Sequence, residues 1–64
     1  MRQPDKNRVR NALQLVERAA AHLCNIKDEN IDCGNEHYRN MVAASLHDAT
    51  LLLKTWRKRI DIND

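Results

Sequence analysis

Two pairs of soft metal ligands bracket the middle of the chain: His22 and Cys24 with one residue between them, then Cys33 and His37 with three. Imidazole nitrogen and thiolate sulfur are the donors of tetrahedral structural zinc, and two cysteines with two histidines make a complete set. The spacing works against it. Structural zinc sites take paired ligands from one turn or knuckle, whereas residues 22 and 24 of a continuous helix point about 200° apart. The expectation is therefore no metal, with Cys24 a small residue at a core edge and Cys33 a loop thiol. A Cys24 to Cys33 disulfide would clamp the stretch between them for about 2–3 kcal/mol in the chain-entropy picture. A reducing compartment leaves both as thiols instead.

His22, His37 and His47 have the ring chemistry of general bases, but none has a serine, cysteine or carboxylate set beside it as a nucleophile pair. His47 and Asp48 are adjacent, which on a helix turns them apart. No catalytic residue and no cofactor is expected. The other chemistry on offer is cationic. Residues 1 to 10 hold Arg2, Lys6, Arg8 and Arg10 against Asp5, and residues 54 to 64 hold Lys54, Arg57, Lys58 and Arg59 against Asp61 and Asp64. Residues 25 to 37 reverse the balance, with Asp28, Glu29, Asp32 and Glu36 against Lys27. The net charge of +2 conceals this segregation.

The elements that must position these groups are helices. One Gly, one Pro, only Tyr38 and Trp56 as aromatics and no alternating run of β-branched residues leave no strand signal. Val9, Leu13, Val16, Ala20 and Leu23 recur at steps of four and three, as do Val42, Leu46, Ala49, Leu53, Trp56 and Ile60. Pro4 and Asp5 suit a helix start, and the polar stretch around Gly34 suits a connection, with Asn35 as N-cap of the second helix. The predicted boundaries are a helix over about 4–27, a loop over about 28–35 and a helix over about 36–60, followed by a frayed acidic tail. The fold class is all-α, an antiparallel two-helix hairpin forming a single domain, in which the two basic clusters meet at one pole and the acidic loop forms the other.

A chain of 64 residues has a marginal core, because so small a domain buries only about 60% of its unfolded surface. The apolar arc of the first helix, from Leu15 and Ile26 across Val16 to Cys24, spans roughly half its circumference and exceeds what one neighbour covers. Tyr38, Met41, Leu52 and Trp56 widen the second helix in the same way. The expected completion is a homodimer forming a four-helix bundle.

The polar start Met1-Arg2-Gln3-Pro4-Asp5 lacks the apolar core of a signal peptide, and no segment approaches the ~18 apolar residues that cross a bilayer. A soluble cytoplasmic protein without a membrane role is expected. In organisation, Gly34-Asn35 leading into Tyr38 and a Leu-rich second helix, the chain resembles small helical hairpins among bacterial secretion co-chaperones and phage-encoded inhibitors or ligand-sequestering proteins. That resemblance implies a binding protein and transfers no residue roles.

Two functions follow as expectations. The first is a non-enzymatic adaptor, co-chaperone or inhibitor that binds another protein through Leu15, Tyr38, Met41, Leu52 and Trp56. The alternative is an anion-binding module that recognises a nucleotide or nucleic acid through Arg8, Arg10, Arg57, Lys58 and Arg59. Against it stand the lack of interleaved aromatics for base stacking and of any helix-turn-helix spacing.

Overall fold

A computed structural model describes residues 1–63. Two helices, α1 (Gln3–Cys24) and α2 (Cys33–Asn63), run antiparallel and are joined by a connection that holds one 3-10 turn, Asp28–Asn30. The hairpin is a rod. Its Cα radius of gyration is 14.9 Å, against about 11 Å for a compact chain of this length. No helix among the described residues is long and apolar enough to cross a membrane.

Pro4 occupies the first turn of α1, and the Asp5 and Lys6 N–H groups both donate to the Arg2 carbonyl, at 3.1 and 3.0 Å. The helix ends at Cys24, earlier than the expected Lys27. At Asn25 and Ile26 the backbone bonds tighten toward three-residue spacing, Asn25 N–H reaching the His22 oxygen at 3.2 Å and Ile26 N–H the Leu23 oxygen at 3.3 Å. Lys27 is then extended.

The start of α2 corrects the sequence reading more substantially. Asp32, not Asn35, is the cap: its Oδ1 accepts the Asn35 N–H at 2.8 Å and its carbonyl accepts the Glu36 N–H at 2.8 Å. Both residues are good caps by type, but the carboxylate adds a full negative charge at the positive end of the dipole. Cys33, Gly34 and Asn35 therefore belong to the helix. Gly34 has no positive φ, and a Cβ there would meet only Asp32 Oδ1 at 3.6 Å, so the turn does not depend on the chain's single glycine. At the other end α2 continues through Asn63, past the expected stop near 60. Residue 64, part of the tail expected to fray, lies outside the described residues.

The core is concentrated at one end. Val9, Leu13 and Ile60 are the fully buried apolar residues among those described, with Leu13 only 1% exposed. Beside them the Arg10 guanidinium donates to Asp61 Oδ1 at 2.6 Å, joining the two helices over this cluster. Toward the connection Val16, Ala20, Leu23, Leu46, Ala49 and Leu53 are only half-buried. Val42, expected in the hairpin seam, is 47% exposed. Because α1 ends at Cys24, Val42 borders a shallow groove with Leu23, Ile26 and Ile31 instead of packing on a further helical turn. On the other side a groove of about 560 Å³ opens over Ala20 and Ala43, lined also by Cys24, His47 and Thr50.

Candidate interaction surface

At about 100° per residue, the helix phases divide the hairpin into two broad faces. On the first, Glu17, Ala20 and Cys24 of α1 meet Arg39, Ala43, His47 and Thr50 of α2, and the Arg10–Asp61 pair continues the same side. Small and mixed polar residues make up this face. On the second, α1 contributes Ala12, Val16 and Ala19, with Leu15 at the outer margin, while α2 contributes Tyr38, Met41, Ser45, Leu52 and Trp56. This face is largely apolar, interrupted near its middle by Ser45 and the exposed Asp48.

The five residues expected to meet a partner thus fall on one side of the molecule. All are exposed, from Trp56 at 47% to Tyr38 at 72%. Tyr38 also touches its neighbour His37 edge-on, with ring centroids 5.7 Å apart. Two shallow grooves mark the ends of this face. Near the basic pole, Trp56 and Leu53 of α2 and Arg8, Val9 and Ala12 of α1 line one of about 380 Å³. Near the connection, Leu23, Ile26, Ile31, Tyr38 and Val42 line one of about 280 Å³. Ile31 is the residue that sequence reasoning missed. It sits in a polar stretch, yet it is half-buried against this groove. An isolated isoleucine between two Asx residues was the available signal.

The basic residues are brought to one pole but not onto one surface. Arg10 is held by Asp61. Arg57, Lys58 and Arg59 are consecutive, so they fan over about 200° around α2. Arg8 shares its groove with Trp56 and with the carboxylate-bearing Asp5. No common cradle for a phosphate forms from these five.

The bracketing ligands do not converge either. Among the described residues no group of three or more His, Cys, Asp or Glu side chains is placed to hold a metal ion. Cys24 and Cys33 are exposed thiols. The hydroxyls of Ser45, Thr50 and Thr55 are engaged, donating to the Met41, Leu46 and Leu51 carbonyls at 3.0, 2.7 and 3.0 Å. Among the described residues no polar or charged side chain is fully buried. Comparison of the chain with protein families, with curated proteins and with solved structures finds no match, so its function has to be read from these residues themselves.

Proposed function

We propose that this chain is a small non-enzymatic binding protein, of adaptor, co-chaperone or inhibitor type, that works through the apolar face carrying Leu15, Tyr38, Met41, Leu52 and Trp56. The same face pairs with a second copy, so that two hairpins complete a four-helix bundle. A protein that presents a matching amphipathic helical surface competes with that second copy for it.

One observation carries this reading. The hairpin exposes 5328 Å², whereas a folded monomer of 7.5 kDa exposes about 4,200 Å² by the usual scaling with mass. The excess, roughly 1,100 Å², is comparable to the ~800 Å² that each partner contributes to a standard interface. Tyr38, Met41, Leu52 and Trp56 share one flank of α2, while the exposed Leu51 and Ile62 stand apart from it; four large apolar side chains in one row distinguish a binding surface from ordinary surface leucines.

Phosphate recognition at the basic pole has less support, because Arg10 is paired and the remaining cations point in different directions. The two readings part in one comparison. Sedimentation at micromolar concentration should show a dimer that Trp56→Ala weakens and the Arg57→Ala, Arg59→Ala double variant leaves essentially unchanged, with helicity by circular dichroism retained in both. If instead the wild-type chain is monomeric and binds oligonucleotide with an affinity that falls steeply with salt, as counterion release requires, the anion-binding reading replaces this one.

A further inference from the structure

We infer that the groove over Ala20 and Ala43, on the face away from Leu52 and Trp56, binds a small aliphatic monocarboxylate whose head group pairs with Arg39. The state of Arg39 points there. Its side chain is only 29% exposed, and its one ionic contact is to Asp28 Oδ1 at 3.9 Å, beyond hydrogen-bond reach. Among the described residues it donates no hydrogen bond, and the Asp28 side chain beside it is fully exposed. Arg10, the other half-buried arginine, is engaged by contrast, donating to Asp61 at 2.6 Å and to Asn7 at 3.2 Å. A guanidinium carries five N–H donors in a planar fork that fits a carboxylate with two parallel bonds. Arg39 is thus a sheltered cation whose donors the protein leaves unclaimed, at the end of a groove.

The groove sets the rest of the occupant. Its volume of about 560 Å³ is that of a small-ligand site, which spans roughly 300–1,000 Å³. Arg39, Ala43, His47 and Thr50 follow one stripe of α2, so Arg39 and Thr50 stand about 16 Å apart along the axis at 1.5 Å per residue. Arg39 and Asp28 mark one end. Because α1 runs the other way, with Arg10 beside Asp61, Glu17 marks the other end with Thr50. Between them Ala20, Leu23, Ile26 and Ala43 form an apolar floor, and His47 is exposed on the rim. The Glu17 carboxylate repels a second negative charge, which selects one anionic group, held at Arg39. The Thr50 hydroxyl already donates to the Leu46 carbonyl at 2.7 Å, so the floor has no donor for the amides of a peptide or the hydroxyls of a sugar, and covering those without partners is costly. A hydrocarbon body has no such cost. The acidic connection does not attract anions from a distance, so binding depends on direct contact with the guanidinium and on the apolar floor.

Calorimetric titration of the full chain with sodium octanoate, kept below the concentration at which it forms micelles, tests the site. Saturable binding of one octanoate per chain is expected. Arg39→Ala should weaken it about tenfold or more and Arg39→Lys by less, because lysine keeps the charge but not the fork. Asp28→Ala should tighten it about two- to fivefold by removing a competing carboxylate. Octanol, which has the tail without the charge, and acetate, which has the charge without the tail, should each bind at least about tenfold more weakly than octanoate. Amide chemical shifts should move at Leu23, Arg39 and Ala43 and stay in place at Leu52 and Trp56. Absence of saturable binding at millimolar octanoate overturns the proposal. So does an affinity that Arg39→Ala leaves unchanged while circular dichroism shows the helices intact, or a shift pattern centred on Trp56, since either means adsorption to exposed hydrocarbon. An Asp28→Ala chain that binds no more tightly also counts against it. A chain that sediments as a monomer yet binds octanoate through Arg39 overturns the self-pairing proposed above and leaves this site standing.

Discussion

The two ends of the hairpin are held in different ways. Where the first turns of α1 meet the last turns of α2, Val9, Leu13 and Ile60 are buried and the Arg10–Asp61 pair closes over them. At the connection no apolar residue is fully buried, Val42 is half exposed and the order comes from local hydrogen bonds: the Asp32 cap, the 3-10 turn and the tightened end of α1. One end is fastened by burial and the other by capping. The difference shows how a chain this short spends its apolar residues. Three large side chains suffice to close one end, and those that would close the other lie on the outer face instead.

Substitutions can break this contrast. Leu13→Ala removes the most buried side chain and should cost about 2–5 kcal/mol, as large-to-small core changes do. In a domain of marginal stability that is enough to unfold it. Val42→Ala, at the other end, should cost under about 1 kcal/mol under dilute, monomeric conditions, because half of its surface is already in water. Denaturant unfolding of the two variants checks this, and equal losses would mean that the ends are packed alike.

The apolar face supplies the next test. Leu52→Ala should leave the stability of the hairpin within about 0.5 kcal/mol, the range of ordinary surface changes, while weakening self-association about tenfold, or about 1.4 kcal/mol. Sedimentation and thermal unfolding at low concentration separate the two effects. A variant that loses stability but not association would place Leu52 in the hairpin core, contrary to its exposure.

The cap sharpens the account of the connection. Asp32→Ala should lower stability by about 1 kcal/mol through the loss of the bond to the Asn35 N–H. Gly34→Ala should raise it by up to about 1 kcal/mol, because the position is helical and has room for a methyl group. Thermal denaturation of the pair checks both signs. A destabilising Gly34→Ala would show that the first turn of α2 needs glycine after all.

Smallest of all should be Arg10→Ala. Its guanidinium and the Asp61 carboxylate are both substantially exposed, and such surface pairs contribute about 0–1 kcal/mol and fade with salt. Unfolding at low and high salt would show a difference only at low salt.

Much of the architecture was legible in the chain. Steps of four and three through Val9, Leu13 and Val16, and again through Leu46, Leu53 and Ile60, are enough for two amphipathic helices, because 3.6 residues per turn places them on one side. The boundaries were harder to read. Asp32 and Asn35 are both competent caps three residues apart, and only the backbone path through Ile31 selects between them. The candidate surface was legible for the same reason as the helices: Tyr38, Met41, Leu52 and Trp56 share a flank by spacing alone.

By itself, then, the sequence determined two helices, their antiparallel pairing, and the segregation of basic ends from an acidic middle, since periodicity and charge order are properties of the chain. Tertiary structure decided which seam residues are buried. Val42 and Ile60 occupy equivalent phases of α2, yet one is exposed and the other buried, because burial depends on what α1 offers opposite each. Val9 and Leu13 are buried together with Ile60, while near Val42 α1 has ended and a shallow groove stays open. The structure likewise dispersed the basic cluster, committing Arg10 to Asp61 and turning Arg57, Lys58 and Arg59 in different directions around one helix.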